Sequence, residues 1–180
     1  MRQCPQALRF LPLVAFLPTL ALAQANGANL LPKEEVDQVF QQGLARLAEG
    51  RTVSDIVARH INVGEEYMGV SVVQRSKKEI GTDSASISHV DLDEIYYIVT
   101  GEGTMITGGT MVDAEATQST LLGNGHRGTI TGGVLQKVKP GDVAIIPKGM
   151  PHGWHEITTD SIGYLIFRAD PNKVMQEKTE

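Results

Sequence analysis

The chain has 180 residues, with 16 Lys and Arg against 21 Asp and Glu, a formal net charge of −5, five His, one Cys and 41% hydrophobic residues. That length fits one domain with an extension, the apolar content excludes a disordered chain, and the acidic balance excludes the basic footprint of a nucleic-acid binder. One Cys excludes an internal disulfide framework and a multi-cysteine zinc site, so oxygen and imidazole are the available metal ligands.

Residues 1–23 read as a secretory signal peptide. Arg2 and Arg9 supply a positive start, Phe10 to Leu22 is apolar apart from Pro12, Pro18 and Thr19, and Ala21-Leu22-Ala23 fits a small-x-small cleavage site. The expected location is therefore secreted or periplasmic, with no membrane contact after cleavage. Cleavage would remove two Arg and no acid, taking the net charge from −5 to −7 over 157 residues. It would also remove Cys4, so the mature chain must rely on its core, a metal or a partner subunit.

Residues 24–51 are expected to be a linker followed by a helix. Asn26, Gly27, Asn29 and Pro32 disfavour regular structure. From Lys33 to Ala48, Val36, Val39, Phe40, Leu44 and Leu47 recur at three- and four-residue steps, which predicts an amphipathic helix. Glu34 and Glu35 suit its first turn, and Gly50 is a plausible stop. The helix either packs on its own domain or docks on a partner.

Residues 52–180 change character. Short β-branched and aromatic runs alternate with Gly, Pro and Asp, which predicts an all-β sandwich or barrel. The candidate strands are 67–75, 86–90, 94–100, 103–107, 129–131, 134–138, 143–147, 152–157 and 162–168. Ile106-Thr107-Gly108-Gly109 is echoed by Ile130-Thr131-Gly132-Gly133. Between these lies a polar loop, 110–128, read either as a lid at the tip of a β-ribbon whose arms carry the echoed residues, controlling access to a site, or as a tolerated surface insertion. Asp170-Pro171 predicts the start of a short C-terminal helix.

Two spaced motifs stand out within this region. The first is Gly81-x5-Ile87-x-His89-x4-Glu94-x6-Gly101, and the second is Gly141-x5-Pro147-x-Gly149-x2-His152-x3-Glu156. Together they resemble the two signature motifs of the cupin superfamily. The second matches at every spacing; the first matches at both Gly, one His and the Glu. Ile87 stands where the family has its first His, and Glu156 where it has Asn. The resemblance implies a double-stranded β-helix, or jelly-roll barrel, here with an N-terminal α-helix and a short C-terminal helix. It carries over His89, Glu94 and His152 as metal ligands, out of the usual three His and one Glu.

Strand parity adds detail. Ile87 and His89 point the same way, as do Glu94, Tyr96 and Ile98. The odd offset between His89 and Glu94 needs a turn, which Asp91-Leu92-Asp93 can supply. His152, Trp154 and Glu156 would share a face, with His155 on the other. Two imidazoles and a carboxylate can hold Fe, Mn, Ni or Zn with positions open for substrate. Tyr96 and then Glu156 are the candidate catalytic acids or bases. His60 is expected to face solvent. His126 and Arg127 could close over an anionic substrate, or simply lie on an exposed loop.

The leading expectation is a secreted, metal-dependent enzyme acting on a small polar substrate by dioxygenation, isomerisation or lyase-type elimination. The alternative is a non-catalytic module that binds a sugar or small acid without metal, and a third is a storage-like barrel. A homodimer is expected in each case, because a jelly roll leaves strand edges uncovered.

Overall fold

The computed structural model describes residues 27–81 and 85–180. The expected signal peptide, 1–23, lies outside the described residues. Residues 27–32 have no regular structure, as their composition predicts. The helix α1 then spans Lys33–Ala48. The Pro32 carbonyl accepts from the Glu35 and Val36 amides, and Gly50 ends the helix at φ 93°.

Ten strands follow: β1 (Val53–Asn62), β2 (Tyr67–Lys78), β3 (Ser86–His89), β4 (Asp93–Thr100), β5 (Gly103–Thr107), β6 (Thr110–Ser119), β7 (Gly123–Thr131), β8 (Val134–Val138), β9 (Val143–Ile146) and β10 (His152–Asp170). All pairings are antiparallel. Two sheets share the long last strand. The C-terminal half of β10 pairs with β2 and β4, giving β1-β2-β10-β4-β9. Its N-terminal half pairs with β5, and at His152 with β3, giving β8-β5-β10-β3-β7-β6. This is the double-stranded β-helix that the motifs imply.

The two strands read as 152–157 and 162–168 are therefore one. Thr158 to Ser161 marks a bend, where the pairing with β2 skips between Ile157 and Ser161. The turn from β4 to β5 lies against that bend, so consecutive strands pair with consecutive halves of β10. Gly101 makes the turn at φ 77°. A Cβ there would lie 2.2 Å from the Ser161 carbonyl oxygen.

The inward faces meet in one core of Val73, Tyr96, Ile98, Met105, Ile146, Trp154, Ile157, Ile162, Tyr164 and Ile166. A second cluster lies outside the barrel, where Val36, Val39 and Phe40 of α1 meet Ile56, Ala58, Val72 and Leu165. The helix thus packs on its own domain, and Arg59 pairs with Glu35 across that contact. The apolar outer face continues past the helix. Tyr97, Val143, Ile95, Ile145 and Phe167 are exposed there, Ile145 by 72%.

Several expectations are corrected. Residues 110–128 are not a loop: β6 and β7 form a paired ribbon with its turn at 120–122. Nearly all of β6 is solvent-exposed, so it carries no apolar alternation to betray a strand. The echoed Gly pairs are the two turns where this ribbon leaves the β5–β8 hairpin, with Gly108, Gly109 and Gly132 all at φ near 70°. Strand β1 had no predicted counterpart either, because Asp55, Arg59 and His60 interrupt its apolar run.

The C-terminal helix does not form. Asp170 does accept the Val174 and Met175 amides, at 2.9 Å each. Lys173, however, sits at φ 52°, which turns the chain after a single loop. The tail then bridges to β1 through His60 and Lys178. His60 is consequently not solvent-facing but fully buried, with Nδ1 2.9 Å from the Gln176 carbonyl oxygen.

The Gly101→Ala variant is expected to lose about 3 kcal/mol or more, since it combines a left-handed backbone with a clash against main chain. Urea unfolding of variant and parent would check this; a loss under about 1 kcal/mol would mean that the β4–β5 turn can move off β10.

Candidate metal centre

Three elements bring the predicted ligands together. His89 ends β3, Glu94 is the second residue of β4, and His152 opens β10. Val90 to Leu92 supply the expected turn between the first two. The loop before β10 is tied to both strands: Gly149 N donates to the His89 carbonyl at 2.6 Å, and Lys148 N to Asp93 Oδ1 at 2.9 Å. His89, Glu94 and His152 are all buried, and one ligand atom from each lies within 4.8 Å of the others.

The atomic detail is specific. Glu94 Oε2 is 3.6 Å from His89 Nε2 and 3.4 Å from His152 Nε2. His152 Nδ1 lies 2.9 Å from the Met150 carbonyl oxygen. A carbonyl only accepts, so Nδ1 carries the hydrogen and Nε2 presents a lone pair. Both Nε2 atoms are buried without a hydrogen-bond partner. Burial drives the His89 imidazole down to about 4, although the Glu94 charge opposes this. Two imidazole nitrogens and one carboxylate oxygen therefore face one another in one buried cluster. Ligands about 2.0–2.2 Å from one divalent ion lie roughly 3–3.5 Å apart, so the donor set fits such an ion.

Glu94 is held by groups that the sequence reading did not identify. Arg168 stands directly across from it on β10, and its Nε donates to Glu94 Oε1 at 2.8 Å. The rest of the guanidinium bonds Ser71 Oγ at 2.7 Å and Asp55 Oδ2 at 2.8 Å. Tyr96 Oη donates to Glu94 Oε2 at 3.0 Å. Burial alone would raise the Glu94 carboxyl. Arg168 first, and the two imidazoles after it, outweigh burial and hold it well below the usual carboxylate range. Tyr96 is pushed well above an ordinary tyrosine, by burial and then by Glu94. It thus stays protonated and orients the carboxylate as a donor. A signal for Arg168 did exist, since it falls in the inward phase of Ile162, Tyr164 and Ile166.

Glu156 is not brought to this site. A bulge between Trp154 and Glu156 places two β10 residues opposite one on β5 and reverses the parity. Trp154 remains in the core, whereas Glu156 turns outward and bonds Thr104 Oγ1 at 2.8 Å. It lines a separate surface pocket with Glu102, Lys137 and Asp142.

A cavity of about 330 Å³ opens over His89 and Glu94. The β6–β7 ribbon lines it through Thr117, Gly125, His126 and Arg127, and Ile87 lies beside the ribbon, paired with Arg127. Ile87 pairs across to His152, so the position that lacks an imidazole borders the site directly.

No protein-family model matches the chain, and no curated protein matches it in sequence. Solved structures are similar in fold at low identity. An uncharacterised protein with a double-stranded β-helix domain from Klebsiella pneumoniae is 18% identical, with a TM-score of 0.39 over 65% of this chain and 75% of that one. An oxalate oxidase is 15% identical, with a TM-score of 0.44 over 67% of this chain and 52% of that one. The DMSP lyase DddQ from Ruegeria pomeroyi is 16% identical, with a TM-score of 0.42 over 74% of this chain and 55% of that one.

The buried imidazole sets a pH dependence for the metal-free protein. His89 titrates near 4 when folded and near 6.5 when unfolded, so between those values the unfolded chain binds the extra proton. Its contribution to stability is complete above 6.5 and falls away as pH drops toward 4, by roughly 3 kcal/mol at most. Glu94 acts in the same direction at lower pH. Urea midpoints of parent and His89→Gln should diverge in slope across that window; parallel curves would show that His89 is not held neutral.

Proposed function

We propose that this cupin-fold chain is a secreted, metal-dependent enzyme that acts on a small polar substrate in its barrel. The observation that supports this best is the convergence of His89 Nε2, His152 Nε2 and Glu94 Oε2 in one buried cluster, with both nitrogens lacking a hydrogen-bond partner. The donor set suits Fe, Mn, Ni or Zn, and bound there such an ion would polarise a substrate oxygen as a Lewis acid. The reaction class is a dioxygenation, isomerisation or elimination.

The remaining roles belong to the chain itself. Arg168 occupies Glu94 Oε1, leaving Oε2 as the ligand atom. Tyr96 aims that atom and, remaining protonated, acts as a donor or acid rather than a base. Ile87 closes the side where a further imidazole would enter. The second reading, a module that binds a small acid without metal, is favoured by that same Ile87. The sugar-stacking version is less favoured, because Tyr96 and Trp154 are buried in the core.

Metal content after purification and reloading separates the two readings. The parent should bind one equivalent of Mn²⁺ or Zn²⁺, and the His89→Ala, His152→Ala double variant none. Ile87→His should tighten binding by about tenfold or more, since it adds a fourth protein donor. Equal, negligible metal in parent and double variant would remove the metal reading and leave the binding module.

The same reading includes a homodimer built on the uncovered outer face. Tyr97, Val143, Ile95, Ile145 and Phe167 continue the surface that α1 covers over β1 and β2. Their exposed apolar area is on the order of 400 Å², about half of the roughly 800 Å² per partner in a standard interface. A second copy related by two-fold symmetry would cover it with the identical patch. Light scattering at micromolar concentration should give twice the chain mass for the parent and the chain mass for Ile145→Asp. A monomeric parent would overturn the dimer.

A further inference from the structure

A second group of cavity-lining side chains has a polarity of its own. Arg75 projects inward from β2 and is half-buried. Its Nε donates to Tyr164 Oη at 2.9 Å. Among the described residues its terminal nitrogens make no hydrogen bond, and no acid pairs with it. The cavity does contain two carboxylates, Asp55 and Glu94, but Arg168 bonds both of them. Arg75 is therefore a cation turned into a cavity without a direct ion-pair partner, Asp55 acting on it only at a distance.

Its support is rigid. Tyr164 is completely buried and stacks on Tyr96 with ring centres 4.9 Å apart. Tyr164 Oη also receives Trp154 Nε1 at 3.4 Å. With both its lone pairs engaged, the hydroxyl has only its hydrogen left to give. Arg75 and Tyr164 thus present donors and no acceptor. Arg75 and Tyr164 line the same cavity of about 330 Å³ as His89 and Glu94. One compact molecule can therefore reach both the cation and the ligand cluster.

We propose that the site takes a small carboxylate, held at one end by the Arg75 guanidinium with the Tyr164 hydroxyl. Its other end would lie in the open part of the cavity. The planar fork of an arginine matches the two oxygens of a carboxylate, and the substrate supplies the direct ion-pair partner. This rests on the cavity being the binding site, as argued above, but not on the metal. Arg75 is a specificity-determining residue in this arrangement.

The test uses the metal-free protein, prepared with EDTA, and three probes followed by calorimetry: malonate, its uncharged diamide and inorganic phosphate. Malonate should bind at least tenfold more tightly than either of the others. Arg75→Gln should weaken malonate about tenfold to a hundredfold, in line with the loss of a charge-assisted pair. It should leave the diamide and Mn²⁺ affinities within about twofold. Arg75→Lys should keep the charge preference and lose part of the affinity. Equal malonate binding by parent and Arg75→Gln overturns the assignment, as does a diamide or phosphate that binds as tightly as malonate. If Arg75→Gln does not fold, the ratio of malonate to diamide in the parent decides alone, and a ratio near one overturns it. Malonate bound through Arg75 in a protein that takes up no Mn²⁺ would refute the metal reading and leave this one standing. Mn²⁺ uptake without malonate preference would do the reverse.

Discussion

A carboxylate at the bottom of a barrel is the constraint around which this molecule is arranged. Glu94 is only 1% exposed, and an ion so placed costs several kcal/mol unless its charge is met. The chain meets it from the adjacent strand, with Arg168 in direct cross-strand register. That introduces a second charge, which Asp55 balances from β1 while Ser71 takes a further donor. Four strands are thereby pinned to one network. Because this network claims one face of the carboxylate, its other oxygen is free to meet the imidazoles.

The interior is consequently divided. In one part lie the ring nitrogens of two imidazoles and one carboxylate oxygen. In the other lie hydrogens, from Arg75 and Tyr164. A ligand that satisfies both parts must carry negative charge toward the arginine and oxygen lone pairs toward whatever cation the acceptors gather. Ile87 adds an apolar surface to the same cavity, beside His152. The aromatic stack of Tyr96 and Tyr164 joins the two parts mechanically, since one hydroxyl orients Glu94 and the other orients Arg75.

Much of this was readable in the residues, and the failures have physical causes. The helix was legible because its apolar positions repeat with the helical period over four turns, and α1 has the predicted bounds. The strands that face the core on one side were legible through alternation. The motif spacing placed His89, Glu94 and His152 together because Gly and Pro fix where the intervening turns fall. What failed lacked such signals. Strand β6 is exposed along nearly its whole length and so shows no pattern. Glu156 was misplaced because a bulge is a one-residue event that parity counting cannot detect. Arg168, Arg75 and Tyr164 lie outside the motifs, and their importance comes from what stands across the barrel. His60 is buried by the C-terminal tail, a contact between residues more than a hundred positions apart.

The shared last strand has a consequence for how the molecule comes to be folded. Strand β10 is the only element common to the two sheets, and it arrives after all the others. Until residues 152–170 are available, β2 lacks one neighbour, β4 and β5 each lack one, and Glu94 has no guanidinium. Partial chains can form local hairpins, such as β6–β7, but cannot close either seam. Its contacts are predominantly non-local, which places such a topology among slow folders. The barrel is therefore an all-or-nothing object completed from its C-terminal end, and the growing chain must be kept from pairing its open edges with other chains before the final strand arrives.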